Sequence, residues 1–162
     1  MTRHAPNGFI MLEALIALVV VSFGILGFAG LQATGMSLNN SSLLRSKATV
    51  MAYEMADRMR ANQLGVTGGS YDLMVTGAAS QACASTAAGC PPATLALNDY
   101  YEWTTALAAT LPGGKGVVCL DGVPGDGTYA IPLCDGAAGH FDIKIWWTEK
   151  GGTYRFSTSL VP

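Results

Sequence analysis

The feature that most constrains this chain is an apolar segment of 23 residues, Phe9–Leu31, whose only charged residue is Glu13. As an α-helix the segment would be about 34 Å long, which is enough to cross a bilayer. The apolar core of a secretory signal is only about 7 to 15 residues long, so a membrane-spanning helix is favoured. A carboxylate in hydrocarbon costs roughly 2.5 to 3.5 kcal/mol, so Glu13 needs a compensating partner.

The helical pattern continues beyond the apolar segment. No proline occurs from Leu31 to about Ala61, and Glu54 and Arg58 are spaced for an ion pair one turn apart. Apolar residues recur at spacings of three and four: Leu44, Ala48, Met51, Met55 and Met59. Residues 9–61 are therefore predicted to form one helix of roughly 80 Å, half in the membrane and half docked on a small domain.

Three glycines, Gly24, Gly27 and Gly30, fall inside this predicted helix. Glycine is a weak helix former that costs up to about 1 kcal/mol relative to alanine. The glycines fit either close helix packing in lipid or a segment that bends or partly melts.

The rest of the chain predicts a small α+β domain. Residues 62–92 are rich in small and polar residues and are interpreted as a loop that holds the first two cysteines. A second, shorter helix is predicted from about Asp99 to Leu111, with Asp99 and Glu102 at the spacing of a capping box. The sequence Pro112-Gly113-Gly114 ends it.

The C-terminal third predicts an antiparallel sheet. GVVCLD is a short strand candidate, and HFDIKIWWTEK and TYRFSTSLV both alternate between apolar and polar residues. The sequence Lys150-Gly151-Gly152 between the two alternating segments is typical of a hairpin turn. One face of the middle strand carries Phe141, Ile143, Ile145 and Trp147, and the other carries Asp142, Lys144, Trp146 and Thr148.

Four cysteines, Cys83, Cys90, Cys119 and Cys134, all follow the apolar segment, and four cysteines allow three pairings. Their spacing suits local loop closure better than a zinc site. Pairing of neighbours, Cys83 with Cys90 and Cys119 with Cys134, closes the shortest loops and has the lowest entropic cost. Two disulfides predict an oxidising compartment, so the C-terminal part lies outside the cytoplasm.

Charge and motifs argue against several classes of protein. The net charge is −2 and there are two histidines, His4 and His140, so neither nucleic-acid binding nor histidine-based catalysis is expected. No phosphate-binding loop, CxxC pair or HExxH motif occurs, and we expect no enzyme, no cofactor and no metal. Asp121, Asp126 and Asp135 lie in one loop, which we interpret as solvated and clamped by a disulfide; calcium binding at residues 121–136 is a weaker alternative.

The sequence GFIMLE at residues 8–13 resembles the processing signal shared by type IV pilins and type II secretion pseudopilins. This resemblance implies that a prepilin peptidase removes residues 1–8, with Gly8 the last residue of the leader. Phe9 would then be the methylated first residue of the mature protein, and Glu13 the fifth. It also implies that Glu13 attracts the N-terminal amine of the next subunit, which neutralises two buried charges during assembly.

Further segments are similar to minor pilins of type IV pili: LRSKATVMAYEMADRMRAN, LPGGKGVVCLDG, IKIWWTEKGG and YRFSTSL. Many pilins have proline where this chain has Gly30, so family features that depend on the proline are not carried over. The resemblance implies a pilin-like fold, with a leader at 1–8, a transmembrane and assembly half at 9–31 and a periplasmic head at 32–162. It also implies a single-pass inner-membrane protein that enters the pilus and reaches the cell surface.

The partners that the resemblance implies are other minor pilins, the major pilin, the prepilin peptidase, the inner membrane and an adhesin presented by the pilus. The role implied is to help initiate pilus assembly, without catalytic activity. Two alternatives remain open at this point. One is a type II secretion pseudopilin with the same anchor, and the other is an exported protein with an ordinary signal peptide.

Overall fold

The computed structural model describes residues 7–80, 83, 89–136 and 139–161, and only the backbone of residues 7–10. Three helices and three strands are formed in these ranges: α1 (Asn7–Ala61), α2 (Gln63–Thr67), α3 (Pro92–Thr110), β1 (Lys115–Leu120), β2 (Phe141–Glu149) and β3 (Gly152–Leu160). The chain divides into two compact units, Met1–Ser42 and Leu43–Pro162, and α1 contributes residues to both. We call the second unit the head.

The described part of the first unit is the N-terminal part of α1. From Met11 onward its large apolar side chains are exposed, with Met11 78 % and Leu31 74 % accessible. The helix is unbroken at Gly24, Gly27 and Gly30, and a Cβ at any of them would meet nothing within 4 Å. This part of the chain therefore has no core of its own.

In the head, the C-terminal part of α1 supplies one side of the hydrophobic core. The residues that it buries recur at helical spacing: Leu44, Ala48, Ala52, Met55, Ala56 and Met59. Met51 packs against this core while remaining partly exposed, and its carbonyl accepts a hydrogen bond of 2.8 Å from the Trp103 indole of α3. The predicted apolar stripe of α1 is confirmed, and α1 packs on the rest of the head through it.

The second long helix begins seven residues earlier than predicted. Pro92 occupies its first turn, where the missing N–H of proline is tolerated, and the helix ends at Thr110 ahead of Pro112. The predicted capping box was wrong, because Asp99 lies inside the helix and is buried. Its carboxylate accepts a hydrogen bond of 2.6 Å from the Tyr71 hydroxyl.

The three strands form one antiparallel sheet in the order β1-β2-β3. Its inner face carries Val118, Ile143, Ile145 and Trp147, which join the core under α1 and α3. Lys150 and Gly151 connect β2 to β3, and both have positive φ (50° and 76°), as a tight hairpin turn requires. The predicted hairpin is confirmed.

Residues 62–74, the first part of the predicted loop, contain regular structure. They contain the short helix α2, and Met74 forms an isolated antiparallel bridge with Val118 of β1. Buried Asn62 precedes α2 and makes three contacts: its side chain accepts from the Gly65 N–H and donates to Pro92 and Tyr71. These hydrogen bonds pair buried polar groups at the turn between α1 and α2. The composition of the segment did not predict them.

Candidate functional site

The first candidate site is the apolar helix around Glu13. Gly8 and Phe9 lie within the helical backbone of α1, and the Phe9 side chain lies outside the described part of the chain. Glu13 is exposed, and so are its apolar neighbours, including Leu12 (60 %) and Ile16 (55 %). The next charged residue along the chain is Arg45, so Glu13 is the single carboxylate of a long apolar surface.

This helix is long and apolar enough to span a membrane. Its most apolar window has a mean hydropathy of 2.5, and none of that window is buried. A helix that is apolar on all sides is stable in lipid or when covered by other chains. The geometry therefore offers a surface for a membrane or for neighbouring helices, with one acidic position on it.

The second candidate site is the outer face of the sheet. We define the outer face by the side chains opposite the core: Lys115, Val117 and Cys119 of β1, Asp142, Lys144 and Trp146 of β2, and Arg155 of β3. Residues 121–136, which we call the outer loop, fold back over this face. The Cys119–Cys134 disulfide ties the loop to β1, with the two Cα atoms 6.0 Å apart.

Lys144 is the centre of this arrangement. Its side chain is fully buried and forms an ion pair with Asp121, whose side chain is also fully buried. The ammonium lies 2.9 Å from Asp126 Oδ1 and donates a hydrogen bond of 2.8 Å to the Pro132 carbonyl. One lysine thus binds three separate points of the outer loop.

A second set of contacts holds the middle of the outer loop. The Arg155 guanidinium donates to the carbonyls of Gly127, at 2.8 Å, and of Gly125. The Tyr129 ring lies edge-on to Trp146, with 6.0 Å between the ring centroids. The Lys115 ammonium lies 4.5 Å from the centroid of the Tyr129 ring, within the range of a cation–π interaction.

The buried charged groups of the outer face shift one another's pKa values. Burial by itself raises the pKa of Asp121, but the Lys144 ammonium and the Val123 N–H outweigh burial, so the pKa lies below its ordinary value. Burial lowers the pKa of Lys144, but the carboxylates of Asp121 and Asp126 reverse this and raise it. Burial raises the pKa of Asp142, and the neighbouring Ser159 hydroxyl offsets only part of the effect.

The other sequence-predicted residues have local roles. Cys83 and Cys90 form a disulfide with their Cα atoms 4.8 Å apart. Among the described residues, no group of three or more acidic, histidine or cysteine side chains is placed to hold a metal ion. Asp121 and Asp126 bind Lys144, and Asp135 accepts a hydrogen bond of 2.9 Å from the Gly122 N–H.

An ion network joins α1 to α3. The predicted pair of Glu54 and Arg58 is present at 3.1 Å, and the same guanidinium lies 2.8 Å from Glu102 and 3.3 Å from Asp99. The hydrogen bond from Arg58 lowers the pKa of Glu102. This network fixes the two helices of the head against each other.

Comparison with known proteins gives no match: no family model, no curated protein and no solved structure matches the chain.

The sequence did not predict a groove at the edge of the outer loop or the residues that line it. A groove of about 550 Å³ lies beside the loop and is lined by Lys115, Tyr129, Trp146 and Arg155, among others. The signal was present in part, because the alternation of β2 places Trp146 on the outer face. The alternation did not show that the outer loop would cover most of that face and leave a groove at its margin.

Proposed function

We propose that the chain is a minor pilin of a type IV pilus, of the kind called PilV, the type IV pilus modification protein. The observation that carries the proposal is the single carboxylate of Glu13 on an otherwise apolar, exposed helical surface, five residues after Gly8. A charge at this position is stabilised when a cation of an adjacent subunit approaches it in the low-dielectric membrane. The N-terminal amine of a processed neighbour is such a cation.

The head supports this proposal by its construction. It has its own core and two disulfides, whereas the apolar part of α1 has no core. Disulfides are typical of proteins outside the cytoplasm. These features support the proposal that the head lies in the periplasm and that α1 is anchored in the inner membrane before it enters the pilus or its priming complex. The proposed partners are other minor pilins, the major pilin, the prepilin peptidase and an adhesin, and we propose no catalytic role.

Mass analysis of the mature N-terminus separates this proposal from an exported protein with an ordinary signal peptide. We expect a methylated protein that begins at Phe9, because the peptidase cuts after Gly8. A mature protein that begins after Ala29 or Ala33 would instead identify an ordinary signal peptide. A type II secretion pseudopilin shares the cut after Gly8, and recovery with pilus subunits rather than with secretion components excludes it.

The role of Glu13 is tested by Glu13→Leu in the full chain. We expect membrane levels at or above those of the parent, because a charge is removed from the apolar segment. Recovery with partner minor pilins or in sheared pili should fall at least tenfold, because the neighbour's amine loses its partner. Normal incorporation at a normal level would refute the assembly role.

Ser22→Leu is a matched control in the same helix. The Ser22 hydroxyl donates to the Leu18 carbonyl at 2.6 Å, so its hydrogen bond is local to the helix. This variant also increases the hydropathy of α1, but it leaves Glu13 in place. We expect normal incorporation, and a loss equal to that of Glu13→Leu would show that hydropathy rather than charge controls assembly.

A further inference from the structure

At one end of the outer face, an aromatic residue lies between two cations. Lys115, Trp146 and Arg155 are directly opposite one another on β1, β2 and β3. Directly opposite residues in an antiparallel sheet project to the same face. Two strand spacings separate the backbones of Lys115 and Arg155 by about 10 Å, and Trp146 lies between them.

The groove lies along this row. It has a volume of about 550 Å³, and a second groove of about 320 Å³ shares Lys115, Tyr129, Trp146 and Thr153 with it. The two grooves therefore adjoin, and both are open to solvent, which suits a chain of several units better than an enclosed small molecule. Their hydroxyl groups come from Thr128, Thr148 and Thr153, the last two being on neighbouring strands.

The charge of the groove is positive, although the chain as a whole has a net charge of −2. Within the described part of the head, neither Lys115 nor Arg155 forms an ion pair with a carboxylate, and Asp126 is paired with Lys144. Arg155 directs two of its N–H groups to loop carbonyls, and a guanidinium has five, so donors remain for a ligand. The complementary ligand is an anion.

The geometry points to a binding site for a carboxylated oligosaccharide in this groove. The carboxylates would bind the two cations, the sugar hydroxyls would bond to the threonine side chains, and the apolar face of a sugar ring would pack on the partly exposed Tyr129. An acidic peptide supplies carboxylates but lacks the hydroxyl-bearing rings that suit Tyr129 and the threonine side chains. This inference is independent of the proposed function, because it uses only residues of the head.

The test is calorimetric titration of the full chain in detergent with trigalacturonate. Maltotriose is the uncharged sugar control, and hexaglutamate is the control for charge without sugar. We expect measurable binding of trigalacturonate, and binding at least tenfold weaker for each control. No binding of trigalacturonate, or equal binding of either control, would overturn the inference.

Two variants locate the site. Lys115→Gln removes one cation from an exposed position and should weaken binding about tenfold, the loss expected for one charge-assisted hydrogen bond. Lys47→Gln makes the same change on α1, outside the groove, and should leave binding unchanged. Equal losses in both variants would show a general effect of charge and would overturn the assignment to the groove.

Discussion

Replacing Lys144 by methionine removes the cation that holds the outer loop while keeping a side chain of similar length. Two ion pairs and the hydrogen bond to Pro132 are lost. The Asp121 side chain has no exposed surface, so its carboxylate would remain buried without a cation. Breaking a buried pair in this way costs about 3 to 5 kcal/mol. The Asp126 side chain is 35 % exposed, so the loss of its ion pair with Lys144 adds only about 0 to 1 kcal/mol to the cost.

The loss is large for a unit of this size. For the head, Leu43–Pro162, roughly 4 °C of melting temperature corresponds to 1 kcal/mol, so Lys144→Met should lower the transition by about 12 to 20 °C. Scanning calorimetry under non-reducing conditions measures it. Arg60→Met is the control, because it breaks an exposed ion pair with Asp57 worth at most about 1 kcal/mol and should lower the melting temperature by less than about 4 °C.

The double variant Lys144→Met with Asp121→Asn tests the cause. If the cost comes from a stranded carboxylate, neutralising Asp121 should recover more than half of the lost stability. The raised pKa of Lys144 means that its stabilisation is complete below the ordinary lysine pKa and is lost as pH rises through the raised value. The lowered pKa of Asp121 means that its contribution is lost only as pH falls through that lowered value. A shift below 4 °C for Lys144→Met at neutral pH would refute the reasoning.

Two further changes test the sheet. The pKa of Asp142 is raised by burial, so its charged form destabilises the folded head. Asp142→Asn should therefore raise the urea midpoint of unfolding at pH 7, and the gain should shrink as pH falls through the raised pKa. A gain that does not change with pH would contradict this role of the Asp142 charge. Gly116→Ala should destabilise the head by about 1 to 3 kcal/mol in urea titration, because the new Cβ would overlap the Trp103 indole. Gly125→Ala, whose Cβ meets nothing within 4 Å, is the matched control, and equal losses would disprove the overlap.

The helices and strands followed from the sequence where their periodicity was strong. The stripe of α1 and the alternation of β2 are set by local patterns that tertiary contacts reinforce. The start of α3 was missed because Asp99 and Glu102 matched the spacing of a cap. In the fold, Asp99 instead binds Tyr71 and Arg58, which are distant along the chain. Such contacts leave no periodic signal.

The outer loop shows the same limit for the candidate site. Alternation in β1 places Cys119 opposite the core, so its predicted bond to Cys134 already required the loop to return to the outer face. The alternation did not predict the path that the outer loop takes between its ends. That path depends on Lys144 and Arg155, whose partners are mainly backbone carbonyls and acidic side chains with no characteristic spacing.

The positions of the tryptophans have a practical consequence. Trp103, Trp146 and Trp147 are the three tryptophans of the chain, and all lie buried in the head, while α1 has none. Intrinsic fluorescence of the intact protein therefore reports the state of the head alone, even when detergent or lipid surrounds the apolar helix. Unfolding of the head can thus be followed by fluorescence without a background from the apolar helix.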